Sequence, residues 1–409
     1  MVANVLNYLT VTTALISLVF LARKRLRQSI QWRATVTPLA SIIGSGFLIV
    51  APLLHAVLGK WALAGMIILS ILAYAIGSVI RFNIRYAETY LIDHPGSSIA
   101  KIETLSQWAL GIAYAISVAF YTSLFTAFLF DRLSISDPTL MRWATTVLLL
   151  SVMVIAWRRG ARGLETIELV AVTLKLAIII GVLIALGSYD VINQTSWFQH
   201  DAIKSLSLWD STAMLAGMLM VTQGFETTRF MGSQYTTIVR INAARYSQWI
   251  ATAIYITFIG FTCPLFLEFP IVELNETTIS QTLGQVVMVL PVMLLVAATA
   301  SQLSAALADT IGGGGLLREL IPIRLPDNLF YMGVVALAII LIWSANVFEI
   351  INYASKGFGT YYLLQVLITL GLLRKQILNH SNIKFSLGCS LLVLILLFVI
   401  FASIPAPHS

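Results

Sequence analysis

Charge is the scarce component of this sequence. Asp, Glu, Lys and Arg supply 11% of its 409 residues and hydrophobic types 58%, whereas an ordinary soluble domain carries roughly 25% charged residues. A soluble globular fold is excluded. Cysteine is almost missing: Cys263 and Cys389 stand in separate apolar runs, which argues against a disulfide framework and for two buried structural thiols. Histidine is sparse as well, and His55, His94, His200, His380 and His408 fall in loops, at the ends of apolar runs or in the tail. No Asp-rich or His-Glu metal spacing occurs, nor any nucleophile with a convergent base. The expectation is a protein that is not an enzyme and holds no metal or resident cofactor. Gly312-Gly313-Gly314-Gly315 lacks the Gly-Lys-Ser/Thr of a phosphate loop, so a flexible hinge at the end of a membrane helix is expected there.

Long apolar runs are what the sequence has in abundance. About 20 residues cross the hydrocarbon core of a bilayer, and twelve such runs follow one another at 4–22, 35–58, 61–80, 104–130, 142–157, 165–187, 209–231, 247–268, 283–308, 329–346, 350–372 and 384–403. The fold class is therefore an all-α polytopic membrane protein. If the loop 23–33 is cytoplasmic and the runs alternate, nineteen of the 25 Lys and Arg residues lie on that side. Lys60, Arg132, Arg142 and Lys204 lie outside, and Lys175 and Lys356 fall within runs. The net charge of +7 is thus a topology signal and not a nucleic-acid surface. The first run has four basic residues just after it and none before, the reverse of a secretory signal; an uncleaved anchor with its start outside is expected. Asn275-Glu276-Thr277 matches a glycosylation sequon on an outside loop.

Two runs are interrupted. Gly44-Ser45-Gly46 breaks 35–58 and Gln223-Gly224-Phe225-Glu226 breaks 209–231, both near the middle. Backbone that leaves the helical ladder at that depth survives only in protein or along a cavity, so paired breaks point to a binding site. Each broken run is the first of a group of five. Because five is odd, the second group starts on the opposite side of the membrane, which gives an inverted repeat. The expected organisation is an anchor and basic loop (1–34), a first repeat (35–187), an outer loop (188–208), a second repeat (209–375), and a last span with its tail (376–409).

These residues resemble the amino acid–polyamine–organocation (APC) superfamily, whose members share the five-plus-five LeuT-type fold with discontinuous first and sixth core helices. The likeness spans about residues 33–375: TPLASIIGSGFLIVAP in the first core helix, LETIELVAVTLKLAIIIGVLIA in the fifth, MLMVTQGFETTRF in the sixth and INYASKGFGTYYLLQVLITLGLLRK in the tenth. Gln223 before the sixth-helix break and Gly232-Ser233-Gln234 after it depart from the common pattern, which marks an atypical branch. The resemblance implies a secondary active transporter working by alternating access, here read as a proton-coupled symporter of an amino acid or related small zwitterion. The alternative is a sodium-coupled or uncoupled exchanger or facilitator of a different small polar solute. The expected partners are that solute and the lipid bilayer, in a plasma membrane (the inner membrane in a bacterium).

Specific residues carry the chemistry. Ile43, Gly44, Ser45, Gly46 and Phe47 free amide groups at the start of a half-helix, which attracts an anion such as a substrate carboxylate; close helix packing by small residues is the competing reading. Thr222, Gln223, Gly224, Phe225 and Thr227 present carbonyls and polar groups suited to an ammonium. By resemblance Phe225 is an aromatic lid and Gln223 a contact for a polar substrate, against packing and a helix–helix hydrogen bond. Glu226 is the one acidic residue placed well inside a run, a functional signal in itself; two readings stand side by side, a structural ion pair with Arg229 one turn later, and ion coupling or gating by Glu226 and Arg229. Lys175 stands mid-run in the fifth core helix, where burial disfavours the charged amine. By resemblance it is the leading proton-coupling residue, and it is equally compatible with a structural amine on carbonyls of the first break. Thr299, Ser301 and Ser304 offer hard oxygens for a sodium ion, although such hydroxyls commonly bond their own backbone. Tyr114 and Tyr121 are further substrate-contact candidates, and Lys356 is read as reaching the membrane interface.

Overall fold

The structure is a computed structural model describing residues 2–44, 46–159, 164–193, 206–271, 274–321, 326–375 and 383–406. Ser45, His200, Lys204, His380 and His408 lie outside the described residues. In chain order the α-helices are α1 (Val2–Leu21), α2 (Lys24–Arg27), α3 (Ile30–Gly44), α4 (Phe47–Leu58), α5 (Ala62–Phe82), α6 (Glu88–Asp93), α7 (Ser98–Arg132) and α8 (Pro138–Arg159). They continue with α9 (Leu164–Asn193), α10 (Leu208–Ala216), α11 (Thr237–Glu268), α12 (Thr278–Val286), α13 (Leu290–Leu320), α14 (Asp327–Ser344), α15 (Val347–Arg374) and α16 (Ile383–Ala402). Nine helical stretches among the described residues are long and apolar enough to cross a membrane. One of the nine, Phe47–Asp93, runs from α4 through α5; with α5 counted there, the shorter Asn328–Ser344 helix and the two broken segments, α3/α4 and the stretch from α10 to Phe230, bring the total to twelve. The protein is a multi-pass, all-α membrane protein with the two interruptions that the sequence indicates.

Local chemistry sets where helices begin. The Ser97 hydroxyl accepts from the Ala100 amide at the start of α7, and Ser207 caps α10 in the same way. Asn346 and Glu349 form a reciprocal capping box ahead of α15. Each satisfies amides that a helix start leaves without partners. The helices extend well past the apolar runs. α7 starts at Ser98 and α13 ends at Leu320, so Glu103 and Asp309 lie inside helices and are buried. The run expected at 283–308 divides into the short α12 and the long α13.

α7 is the central post: α13, α14 and α15 all pack against it. Its small residues, among them Ala113, Ala115, Ser117 and Ala119, are buried and let neighbouring backbones come close. α3 packs on α11 and α9, and α16 lies on α15. The leading helix α1 rests on α9, where a Cβ on Gly181 would sit 2.9 Å from the Thr10 carbonyl, while Tyr8, Ile16 and Val19 face outward. The glycine run 312–315 is not the expected hinge. It is continuous helix within α13, and its missing side chains make room for others: Cβ atoms on Gly312 and Gly313 would come within 3.3 Å of Tyr114 and 3.2 Å of Val334, and one on Gly314 would collide with Tyr331.

Candidate functional site

A helix that stops in the membrane interior leaves its last carbonyls without intrahelical partners, and no water is present there to replace them. At the end of α3 three side chains from three helices do so. Lys175 Nζ of α9 donates to the Ala40 carbonyl at 3.0 Å and to Ser301 Oγ of α13 at 2.8 Å. The Tyr255 hydroxyl of α11 lies 2.9 Å from the Ile42 carbonyl, and Gln302 Nε2 donates to the Gly44 carbonyl at 3.3 Å. The same Tyr255 hydroxyl is 3.0 Å from the Val221 carbonyl in the other break, so one phenol serves both interrupted segments. Gln302 carried a signal, a polar residue in an apolar run; Tyr255 carried none.

The second break is longer than the motif that marks it. After α10 the chain forms a 3-10 turn at 219–222, passes through extended Gln223 and Gly224 (φ +128°), and continues as 3-10 helix over 225–230. The Gly224 amide donates to Glu226 Oε2 at 2.7 Å, and the Tyr362 hydroxyl donates to the same oxygen at 2.7 Å. Phe225 does not line the cavity; it is buried and stacked on Tyr362 with ring centroids 5.4 Å apart. Gln223 Nε2 donates to the Tyr121 hydroxyl at 3.0 Å. Thr222 and Thr227 donate to the Leu219 and Gly224 carbonyls at 3.1 and 2.8 Å. The breaks press together: a Cβ on Gly46 would lie 2.8 Å from Val221 Cγ2, and one on Gly224 would lie 2.6 Å from the Ile42 amide nitrogen. Gly44 is looser, with ordinary 3.5 Å distances to Ser301 and Ala305.

A cavity of about 320 Å³ lies beside this junction, lined by Ala40 and Ser41 of α3, Tyr114 of α7, Thr227 and Met231 past the second break, and Ser304, Asp309 and Gly312 of α13. It reaches exposed Gly315 and Glu319 near the end of α13, and so opens at the end of the bundle that carries loop 23–33. At the other end Thr277 and Gln281 both donate to Asp131 Oδ1 at 3.1 Å, which ties α12 to the last turn of α7. Of the residues singled out in the sequence, Tyr114, Thr227 and Ser304 face the cavity, and Lys175 and Ser301 form a cluster behind Ala40. Ile43 and Phe47 border a separate void of about 10 Å³, room for one water at most; Phe47 packs on Phe258 of α11 at 4.3 Å. Thr299 is half-buried, its hydroxyl donated to the Leu295 carbonyl at 2.7 Å, away from Lys175's cluster. Lys356 is half-buried in the third turn of α15.

The expected Glu226–Arg229 pair does not form. The freed Gly224 amide and Tyr362 draw the Glu226 carboxylate toward the break, and Arg229 pairs with Glu103 of α7 at 3.0 Å while donating to Gln365 of α15. Gln365 in turn donates to Glu103 and to Ser106 at 3.1 and 2.9 Å, and Asn83 donates to it at 2.9 Å. Glu103→Ala would leave the Arg229 guanidinium, 4% exposed, without its counter-charge. That should cost about 3–5 kcal/mol, read as a lowered unfolding temperature of the purified protein, with Glu103→Gln milder because it retains hydrogen-bond acceptance.

A family profile described as APC superfamily transporter matches residues 24–402. An uncharacterized protein of Aquifex aeolicus (strain VF5) is 39% identical over 396 residues, 96% of each chain. Among solved structures, a mutant of the manganese transporter of Eremococcus coleocola superposes with TM-score 0.58 at 14% identity, over 92% of this chain and 87% of that one. A Na+-coupled sialic acid symporter in a substrate-bound outward-open state gives TM-score 0.56 at 14% identity, over 100% and 99%. Both have the LeuT-type fold, and at this identity they establish the fold alone.

Proposed function

The chain belongs to the APC superfamily of transporters, and from that premise we propose that it is a secondary active carrier coupling proton movement, through Lys175, to alternating-access transport of a small solute with an amino group, amino acids included. The observation that supports this reading is the seat of Lys175. Its Nζ is bonded to the Ala40 carbonyl and the Ser301 hydroxyl, two oxygens of the kind a sodium shell draws on, and two cations on one set of ligands repel. A charged amine makes charge-assisted bonds that clamp α9 to α3 and α13. A neutral amine holds them less tightly, so a proton acts where the broken helix meets its surroundings. The basic bias of loop 23–33 favours that face as cytoplasmic, which makes the cavity an inward-facing vestibule of a plasma-membrane carrier.

Proteoliposomes without sodium test this. With a one-unit pH gradient and one proton per solute, the driving force of about 1.4 kcal/mol supports roughly tenfold accumulation, accompanied by solute-dependent proton influx. Accumulation that requires sodium and ignores pH would overturn the coupling; no solute-dependent flux across amino acids and amines would overturn the carrier.

A further inference from the structure

Lys175 is the first member of a row of hydrogen-bonding groups that ends on the broken helix. Its Nζ donates to Ser301 Oγ at 2.8 Å, and a hydroxyl that accepts still has a hydrogen to give. That of Ser301 meets no acceptor among the described residues. The next residue on α13, Gln302, is 3% exposed. Its Nε2 donates at 3.3 Å to the carbonyl of Gly44, the last residue of α3. A carbonyl can only accept, so this bond fixes which end of the amide is nitrogen. The remaining Oε1 has no hydrogen-bond partner within the protein, a state that buried acceptors rarely tolerate. Lys175, Ser301 and Gln302 are the polar side chains on the wall of the void of about 10 Å³. That volume suits one water.

We propose that Gln302 is a positioning residue for proton coupling: it holds one water between its Oε1 and the Ser301 hydroxyl, and through that water the charge on Lys175 sets how firmly the end of α3 is held. The inference rests on the proton-coupled reading of Lys175 and extends it to a second point of the break. Two polar partners are the least that hold a buried water. With a charged amine every bond runs one way. Lys175 donates to Ser301, Ser301 to the water, the water to Gln302 Oε1, and Gln302 Nε2 to the Gly44 carbonyl; bonds aligned in this way polarise and strengthen one another. A neutral amine has a lone pair, so the Ser301 hydroxyl turns and donates to it instead. The water then loses its donor, and the grip of Gln302 on Gly44 slackens. Ala40, held directly, and Gly44, held through the row, lie about one helical turn apart at the end of α3, so one proton governs a whole turn. Lys175 is the titratable group on the wall of the void. Of the helices packed on α9, α1 holds no charged residue and α3 holds Arg33 near its leading end. α11 turns Tyr255 toward the break, with Arg240 and Arg245 in its first three turns and Glu268 at its end. α13 carries Asp309 about two turns past Ser301, on the wall of the larger cavity, and Arg318 and Glu319 in its last turn. On α9 itself Glu165, Glu168 and Asp190 belong to the terminal turns.

The unaltered protein tests the site without any variant. A density map that resolves ordered water should show one within about 2.6–3.2 Å of both Gln302 Oε1 and Ser301 Oγ, and a map with no density there would overturn the proposal. Transport by the full chain in sodium-free proteoliposomes tests the role. Gln302→Met keeps the length of the side chain and removes both polar ends. It should retain counterflow at equal pH, while its accumulation under a one-unit pH gradient falls from roughly tenfold to about twofold or less. Its counterflow rate should also lose most of its dependence on pH, and Ser301→Ala should act alike. Gln302→Glu places a carboxylate on the same void as the amine, which favours the charged amine and should move the pH profile of counterflow up by about one unit or more. A glutamine that only fills space would not produce that movement. Gln302→Met with the accumulation and pH profile of the unaltered chain would overturn the role, as would a Gln302→Glu profile that stays in place. Accumulation lost in Lys175→Ala and kept in Gln302→Met strikes Gln302 alone; accumulation kept in both strikes the proton reading and the relay with it.

Discussion

Lys175→Ala protein in vesicles is expected to equilibrate its solute without concentrating it, losing the roughly tenfold accumulation that one proton and one pH unit support while retaining solute counterflow. Among the described residues Lys175 Nζ is the basic group bonded into the first break, reaching Ala40 of α3 and Ser301 of α13 from α9. With alanine there, the Ala40 carbonyl and Ser301 hydroxyl lose a charged donor, and this amine no longer changes charge when pH differs across the membrane. A ligand shifts a conformational equilibrium only by its differential affinity for the two states. With no titrating amine the proton has no such difference to exploit at this place, whereas the cavity walls beyond Ala40 are untouched, so exchange at equal pH continues. Lys175→Met, which keeps bulk and removes charge, should behave like alanine. Unchanged accumulation in either variant would take the coupling role from this residue.

Gly224→Ala is expected to be the most damaging single methyl in the protein. Gly224 has φ +128°, outside the region that L-residues tolerate, and such backbone alone costs about 1–3 kcal/mol. Its Cβ would also lie 2.6 Å from the Ile42 amide nitrogen and 2.6 Å from Ser41 Cβ. The first of these is backbone and cannot rotate away, so relief requires the two broken segments to separate. That motion would disturb the Glu226 cap on the Gly224 amide and the Tyr255 bond to Ile42 and Val221. The expected order of damage, in transport rate and unfolding temperature, is Gly224→Ala, then Gly46→Ala against Val221, then Gly44→Ala, whose nearest neighbours at 3.5 Å leave room for a methyl. A Gly44→Ala protein as impaired as Gly224→Ala would contradict the packing described for the junction.

Glycines between apolar residues announced both interruptions, because hydrophobic periodicity exposes a residue that does not belong in a membrane helix. The extent of the second was hidden: nothing in LMVTQGFETTRF distinguishes 3-10 from α-helix, since that choice is made by Ser355, whose hydroxyl donates to the Gly217 carbonyl and accepts from the Met220 amide. Asp309 and Glu103 escaped for a different reason. Hydropathy marks the hydrocarbon slab, not the helix, and both carboxylates sit in turns that continue beyond the apolar stretch. Composition also misled at 312–315, where four glycines suggest looseness but Tyr114, Val334 and Tyr331 occupy the space that Gly312, Gly313 and Gly314 vacate. Pairing across the chain was the least legible part. Arg229 stands one turn from Glu226 and far along the chain from Glu103, and only the folded arrangement of α7 shows which carboxylate it meets.

A single phenolic hydrogen shared by carbonyls of two chain segments acts as a rivet. Tyr255, fully enclosed on α11, fastens the last turn of α3 and the 3-10 turn of the second break to each other and to its own helix. Any movement that keeps this bond intact carries the three pieces together.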